Sequence, residues 1–214
     1  MYTLSSPDQQ QQILSRICQY PPISSTEYPI DLLTDPLLRS AFLETVRLQS
    51  QGLSARYVTH DTLIPSQNIN FLFRKGSLVL IPGLLVHQNS QIYDSPRSFQ
   101  CDRFLGEDED GVTKRVPTRK SIPVRQSIVA FGGGDHLVSL NLWCGLIQCT
   151  GRRFARNEVM VFAAMVLNRF EFAGMDGEIA LPARMPKNRF GRGVEGPRTS
   201  VPIVVKSRIS LGSK

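Results

Sequence analysis

Cysteine is scarce in this chain of 214 residues, which has four, at positions 18, 101, 144 and 149. They are too few and too unevenly spaced for the disulfide framework of a small secreted protein. Long apolar runs are also missing near the N-terminus, where a glutamine run at 9–12 interrupts the sequence. We therefore expect neither an export signal nor a membrane anchor, and each cysteine must be explained by packing or by chemistry.

Acidic residues are outnumbered by basic ones, 18 to 25, which gives a net charge of +7 and a pI near 9.5. Such an excess suits an acidic partner, whether nucleic acid, anionic lipid or protein. Basic residues cluster within 114–125, 152–156 and 184–198. Aromatic residues do not alternate with them, as they would in a surface that stacks on the bases of single-stranded nucleic acid. A solvated basic face is therefore the favoured interpretation, and a nucleic-acid module the weaker one.

Two stretches predict helices. In residues 35–48, Asp35 can cap the N-terminus, Pro36 suits the first turn, and apolar residues recur at helical spacing. Residues 151–170 form the strongest helical pattern and are apolar almost all round from 159 to 167. Because so short an apolar run cannot cross a bilayer, we expect this second helix to be buried on most sides.

The remaining segments predict short strands and loops. Residues 53–58, 68–73 and 77–82 are separated by turn-like dipeptides and predict a small antiparallel sheet. Residues 84–93 predict a short helix, and the charged, proline-containing stretch 106–127 predicts a surface loop.

A cysteine stands two residues before the second predicted helix, downstream of the glycine-rich string FGGGDHL at 131–137. Cys149 would thus lie at a helix N-terminus, where unpaired N–H groups and the helix dipole favour negative charge. The pKa of its thiol should therefore fall below the free value of about 8.5. Glycines on either side allow the backbone to approach a flat macrocycle closely.

Phe131, Gly134, His136, Cys149 and Gly151 together resemble the signature of the haem-thiolate monooxygenases called cytochrome P450: Phe, two residues, Gly, one residue, Arg or His, one residue, Cys, one residue, Gly. The resemblance implies that these five residues bind haem, with the Cys149 thiolate on the iron and His136 at a haem propionate. An isolated cysteine is ordinarily an inert buried thiol, but the surrounding string argues against that interpretation.

Two further motifs match the same family in the expected order. Glu44 and Arg47 fit its Glu-x-x-Arg motif, and their spacing puts both side chains on one helix face. Residues 99–104 resemble the segment whose arginine completes a structural triad, so the resemblance assigns that role to Arg103. Cys101 stands where many members have proline, and we interpret it as a packing residue.

The resemblance extends from about residue 30 to the C-terminus. It implies an α+β fold, the C-terminal portion of the mainly α cytochrome P450 fold. The expected divisions are a lead-in with a partial helix (1–34), the Glu-x-x-Arg helix with sheet and meander (35–127), the haem-ligand loop with the following buried helix (128–172), and closing hairpins (173–214).

Residues 138–148 depart from the family pattern because they separate Leu137 from Cys149. Without them the sequence reads FGGGDHLCTGRRFARNE, an uninterrupted signature. The segment begins with valine, whose codons start with GT, and ends with glutamine, which a codon ending in AG can encode, so we hypothesise retained intron sequence. The alternative is a genuine loop insertion with Cys144 as ligand, although Cys144 lacks the x-Gly-Arg continuation and a loop along the haem face is geometrically costly.

The resemblance also implies a cofactor and partners. The cofactor would be haem b, that is iron protoporphyrin IX, and NADPH would supply electrons indirectly through a flavoprotein reductase. A complete relative would insert oxygen from O₂ into a small apolar, lipid-like substrate, and the basic cluster of Arg152, Arg153 and Arg156 would suit docking of the acidic reductase. Nucleic acid is not expected as a partner.

Nothing in the chain resembles the family's long central helix, which carries residues for oxygen activation, or its N-terminal anchor in the endoplasmic reticulum membrane. We therefore expect a truncated enzyme without catalytic residues of its own and with little activity alone. One alternative is a non-enzymatic fragment that is unable to hold haem. A zinc site made by Cys144, Cys149, His136 and His87 is a weaker alternative, because structural zinc prefers close ligand pairs.

Overall fold

Helices and short antiparallel strands alternate along the chain in the computed structural model, which describes residues 7–20, 30–50, 52–65, 69–105, 128, 130, 151–174, 200 and 202–208. The helices are α1 (Pro7–Ile17), α2 (Ile30–Thr34), α3 (Pro36–Gln49), α4 (Gly83–His87) and α5 (Arg152–Arg169). The strands are β1 (Leu53–Tyr57), β2 (Thr62–Pro65), β3 (Asn70–Phe73), β4 (Leu78–Pro82), β5 (Phe170–Gly174) and β6 (Ile203–Ser207). This arrangement confirms the predicted α+β class.

The start of α3 is fixed by the carboxylate of Asp35. Its Oδ1 accepts hydrogen bonds from the N–H groups of Leu37 at 2.9 Å and Leu38 at 3.0 Å, which have no partners inside the helix. Its Oδ2 accepts from the Tyr20 hydroxyl at 2.8 Å and from Nε of Arg16, so the same side chain ties α1 to α3. The predicted helix is confirmed, together with its capping residue.

The predicted antiparallel sheet forms as two-stranded ribbons, in which β1 pairs with β4 and β2 with β3. Gly76, at a φ of +86°, lets the chain turn from β3 into β4, and its N–H donates to the carbonyl of Val58 at 2.8 Å. The strand β2 was not predicted, because it has only four residues and ends at Pro65, which the sequence indicates as a turn.

The short helix predicted over 84–93 is wrong in length, because α4 ends at His87. Beyond it, the side-chain oxygen of Asn89 accepts the N–H of Gln91 at 2.8 Å, and the main-chain carbonyl of Asn89 accepts the N–H of Tyr93 at 2.9 Å. The side-chain bond of Asn89 offers the backbone an alternative to continuing the helix.

The largest cluster of buried apolar residues lies where α1, α2, α3 and α5 meet. It contains Ile17, Leu32, Leu38, Met160 and Ala164, and it shows that the first three helices pack on one stripe of α5. After α5 the chain continues directly into β5, which pairs antiparallel with β6, a strand far along the chain. The closing hairpins expected at 173–214 stay a prediction, because most of that stretch lies outside the described residues.

The expectation that α5 is buried on most sides is wrong. Met160 and Ala164 are buried, but Phe154, Val159 and Phe162 are exposed by 72%, 51% and 67%. The other helices cover one stripe of α5, and no other element in the described part of the chain covers these three residues. The apolar pattern of α5 thus predicts burial on most sides, whereas the structure shows burial along one stripe only.

Two predicted features lie outside the residues that the structure describes. The polar loop at 106–127 and the departure at 138–148 both belong to segments that are not described. Among the residues that are, no helix is long and apolar enough to cross a membrane.

Candidate functional site

The carboxylate of Glu44 lies at the centre of a buried ion cluster. Arg47, one turn further along α3, donates from Nε and Nη2 to the two carboxylate oxygens, each at 2.8 Å. Arg103 donates from Nε to both oxygens at 3.1 Å, and the N–H of Gln100 donates to Oε1 at 3.1 Å. The structure thus brings together the three residues, Glu44, Arg47 and Arg103, that the resemblance placed in a triad.

The cluster carries two positive charges against one negative charge, and main-chain carbonyl groups compensate the excess. Nη1 of Arg47 donates to the carbonyl oxygens of His87 at 2.6 Å and Pro96 at 2.7 Å. Nη1 of Arg103 donates to the carbonyl of Asp94 at 2.8 Å. These bonds replace the water that the guanidinium groups lose on burial, and they fix the 94–103 segment against α3.

The aromatic ring of Tyr93 provides further compensation. It is fully buried, and the guanidinium carbons of Arg47 and Arg103 lie 4.8 and 5.9 Å from its centroid. At these distances the π face attracts a cation. Sequence reasoning missed Tyr93, because it lies in the stretch assigned to a helix and has no motif of its own.

His87 was also missed as a neighbour of this cluster. Its side chain is fully buried. Burial, and after it the charge of Arg47, lowers the pKa of His87 to about 4. Hydrogen bonds with the main chain of Arg47 and Ser50 have the opposite, smaller effect. The imidazole is therefore neutral at physiological pH. Of the four residues in the zinc alternative, His87 alone lies in the described part of the chain.

Cys101 belongs to the 94–103 segment and contacts α1. It is 1% exposed; its N–H donates to Oε1 of Gln9 at 3.2 Å, and its Sγ lies 3.7 Å from Oε1 of Gln12. Burial, and to a lesser extent the charge of Asp102, raises the pKa of the thiol. A protonated, enclosed thiol agrees with the packing role that we expected.

An apolar cavity of about 970 Å³ opens between α1, α3, α5 and β1. Its wall includes Leu38, Phe42, Val46, Val159, Met160 and Ala163. Arg56, on β1, is the single charged side chain among the described residues that line it. Ala130 and Ala155 line it as well. Ala130 directly precedes Phe131, and Ala155 follows four residues after Gly151, so residues on both sides of the signature sequence line this cavity.

Gly151 is the one predicted haem-binding residue that the structure describes. It is exposed, has φ −78° and ψ 0°, and precedes the first residue of α5 without a side-chain capping bond. The helix predicted to begin at residue 151 is therefore present and begins one residue later, at Arg152. The other four lie outside the described residues: Phe131, Gly134, His136 and Cys149.

Comparison with known proteins gives a consistent result. The family model for cytochrome P450 matches residues 30–192. Similar proteins include the 25-hydroxycholesterol 7-alpha-hydroxylase of Rattus norvegicus, 27% identical over 80% of this chain and 37% of the relative. Cytochrome P450 7A1 of Sus scrofa is 27% identical, over 80% of this chain and 32% of the relative. The human 7-alpha-hydroxycholest-4-en-3-one 12-alpha-hydroxylase is 32% identical, over 78% of this chain and 31% of the relative. The chain spans about a third of the length of these relatives.

Proposed function

Because the chain belongs to the cytochrome P450 family, we propose that it binds haem b at the apolar cavity, with Cys149 as the ligand of the iron. The observation that carries this proposal is that Ala130 and Ala155, which flank the signature loop, line one and the same cavity. A group held there would lie beside the residues that flank, in sequence, the stretch carrying Phe131, His136 and Cys149.

The residues around the cavity fit haem in polarity and in size. Its volume of about 970 Å³ lies at the upper end of the range, roughly 300–1,000 Å³, of small-molecule sites. An apolar wall suits the faces of a porphyrin, and the guanidinium of Arg56 suits one of its anionic propionates. His136 is our second candidate for a propionate.

The start of α5 suits a thiolate at Cys149. Gly151 supplies no side-chain oxygen to the first N–H groups of the helix, and the helix dipole places roughly half a positive charge at this end. Both effects stabilise a deprotonated sulfur two residues upstream. When bound through that sulfur, haem supplies the chemistry for activating O₂ toward a substrate C–H bond.

The ion cluster around Glu44 would position the cavity wall and take no part in the chemistry. Leu38, Phe42 and Val46 present α3 to the cavity, while Glu44 and Arg47 hold the same helix against the 94–103 segment. A shift of α3 would therefore change the shape of the proposed haem site.

A haem titration of the purified chain tests the proposal. We expect saturable uptake with a single Soret-type absorbance change, which Cys149→Ser should weaken and shift spectrally. Cys144→Ser, the matched control, should leave both unchanged. Arg56→Gln should weaken uptake without altering the spectrum, because it removes a propionate partner and leaves the iron ligand intact. Uptake that is indifferent to Cys149→Ser would refute the assignment.

We further propose that residues 138–148 derive from retained intron sequence and that the loop without them is the functional one. A variant lacking these eleven residues should bind haem more tightly than the present chain, since the loop would then follow the uninterrupted family spacing. Transcripts that continue in frame through all eleven codons would contradict the intron hypothesis and favour a genuine insertion.

For the complete protein we propose monooxygenase activity on a lipid-like, sterol-type substrate, because several of the relatives carry names of sterol hydroxylases. Electrons would come from NADPH through a flavoprotein reductase, which Arg153, exposed in the first turn of α5, and Arg156, in the second, would help to dock. We expect the 214-residue chain alone to show little turnover with a reductase, NADPH and a sterol.

The second candidate is a non-enzymatic polypeptide that does not hold haem. The exposure of Phe154 and Phe162 favours it, because a chain that leaves aromatic residues uncovered has less apolar burial to stabilise a cofactor site. Absence of any haem-region absorbance after the titration described above would support this candidate.

A further inference from the structure

Ser77 follows a pair of basic residues on the segment that joins β3 to β4. Arg74 and Lys75 stand three and two positions before it, and Leu78 stands directly after it. No other serine or threonine in the sequence has a lysine or an arginine at both of these positions. A serine preceded by two cations suits an enzyme whose substrate cleft is acidic, and protein kinases select their substrates by charge patterns of this kind.

The side chains that such an enzyme would contact are accessible. Arg74, Lys75 and Ser77 are exposed, and Leu78 is 60% exposed. Among the residues that the structure describes, neither cation forms an ion pair with a carboxylate, and the Ser77 hydroxyl has no hydrogen-bond partner. The two cations and the hydroxyl can therefore contact another protein without giving up a contact inside this one.

The main chain around Ser77 is held by few hydrogen bonds. Its N–H donates to the carbonyl of Arg74 at 3.1 Å, and its carbonyl accepts the N–H of Val58 at 2.9 Å. Gly76, at a φ of +86°, donates its N–H to the carbonyl of Val58, so that two residues oppose one in a bulge. Exposed ends of this kind open at a lower cost in free energy than the centre of a paired ribbon. The segment can therefore enter an enzyme cleft while β1 and β4 stay paired.

We propose that Ser77 is a phosphorylation site for a serine kinase with an acidic substrate cleft. In the reaction, Oγ of Ser77 attacks the γ-phosphorus of ATP, the bond from this phosphorus to the bridging oxygen breaks, and ADP leaves. The hydroxyl proton passes to a carboxylate of the kinase.

The phosphoryl group changes the charge at this end of the ribbon. It adds about two negative charges next to Arg74 and Lys75. Asp61 is already present there, since its carboxylate accepts the main-chain N–H of Lys75 at 2.7 Å. Before the reaction the two basic side chains outnumber this single acidic one, and after it the negative charges are in excess. Phosphorylation thus reverses the sign of an exposed surface.

Phosphate incorporation from radiolabelled ATP tests the proposal, with the whole chain as substrate and the catalytic subunit of cyclic-AMP-dependent protein kinase as the probe enzyme. We expect about one phosphoryl group per chain. Ser77→Ala should abolish incorporation, whereas Ser77→Thr keeps a hydroxyl and should retain it. The matched control is Thr59→Ala, which removes an exposed hydroxyl three residues after Arg56 that lacks the second cation. This variant should be phosphorylated as the unchanged chain is.

A second pair of variants tests recognition by charge. Arg74→Gln leaves the acceptor hydroxyl in place and should lower kcat/KM of the kinase about tenfold or more, because a charge-assisted contact is lost. Lys206→Gln, at an exposed position on β6, removes a cation elsewhere and should have no effect. Absence of incorporation into the unchanged chain, incorporation that persists in Ser77→Ala, or an unaltered kcat/KM for Arg74→Gln would each overturn the proposal.

Discussion

Single side chains in the ion cluster are held by charge and by main-chain acceptors together. The carboxylate of Glu44 has no exposed surface and accepts bonds from two guanidinium groups and one N–H. Removal of one member of such a buried set is costly, because the remaining charges cannot return to water. The cluster therefore acts as a unit.

We predict that Glu44→Gln destabilises the chain by about 3 kcal/mol or more, because it leaves Arg47 and Arg103 buried without a counter-charge. Glu158→Gln makes the same change on the exposed surface of α5 and should cost less than about 0.5 kcal/mol. Urea denaturation of both variants measures the difference. Equal stabilities would show that the cluster contributes nothing through its charge.

His87 makes stability dependent on pH in a defined window. Its folded pKa of about 4 lies below the ordinary value of 6.5, so between these values the unfolded chain takes up a proton that the folded chain does not. Stability should therefore fall as the pH is lowered from 6.5 to 4, by on the order of 3 kcal/mol from this group, and the contribution should level off below pH 4.

The measurement is the denaturation free energy at pH 7 and pH 4.5. His87→Gln cannot titrate and should show a smaller loss between the two values than the unchanged chain does. His60→Gln, which alters an exposed histidine, should keep the original dependence. An identical pH dependence in His87→Gln would mean that other groups are responsible.

At the level of elements, Asp35 connects helix capping to tertiary packing. Burial alone would raise the pKa of the Asp35 carboxyl. Hydrogen bonds from the Leu38 N–H, Tyr20 and Arg16 together outweigh burial, so the pKa is lowered. A residue that caps α3 and holds α1 should cost more to remove than a cap alone, which is worth about 1 kcal/mol.

We predict that Asp35→Ala costs about 2 kcal/mol and that Asp35→Asn, which keeps a capping oxygen, costs less. Asp31→Ala, at an exposed position in the first turn of α2, is the matched control and should have little effect. Thermal unfolding followed by circular dichroism distinguishes the three. A loss from Asp35→Ala no larger than that from Asp31→Ala would contradict the role assigned to this carboxylate.

Local patterns predicted some elements and not others. The cap and spacing of α3 are encoded within the helix itself, and the i,i+3 spacing of Glu44 and Arg47 follows from the same helix. The strand β2 was missed because a four-residue strand depends on its partner more than on its own sequence. The exposure of α5 was not predicted, because an apolar pattern indicates which side chains would gain from burial. It does not indicate which other elements pack against the helix.

The residues of the candidate site were likewise predicted only in part from the sequence. Arg103 was assigned by its resemblance to a family motif, since it lies 59 residues from Glu44 in sequence. Tyr93, His87 and Arg56 carry no motif and come together with the cluster or the cavity only in the folded chain. Charge compensation by carbonyl groups likewise cannot be seen in a sequence, because every residue has a carbonyl.

Considered whole, the molecule brings the flanks of its signature loop to an apolar cavity while leaving part of α5 exposed. The chain spans about a third of the length of the relatives it matches. A cavity of about 970 Å³ with one charged residue among its described lining is suited to a flat, largely apolar group with an anionic edge. These features of the cavity support the proposed binding of a cofactor.

The most direct test of a Cys149–haem bond is the carbon monoxide difference spectrum of the reduced, haem-loaded chain, because it reports whether the ligand opposite carbon monoxide is a thiolate. We predict a thiolate-type band for the unchanged chain and for Cys144→Ser, and its loss in Cys149→Ser. A thiolate band that persists in Cys149→Ser, or that disappears in Cys144→Ser instead, would contradict the account.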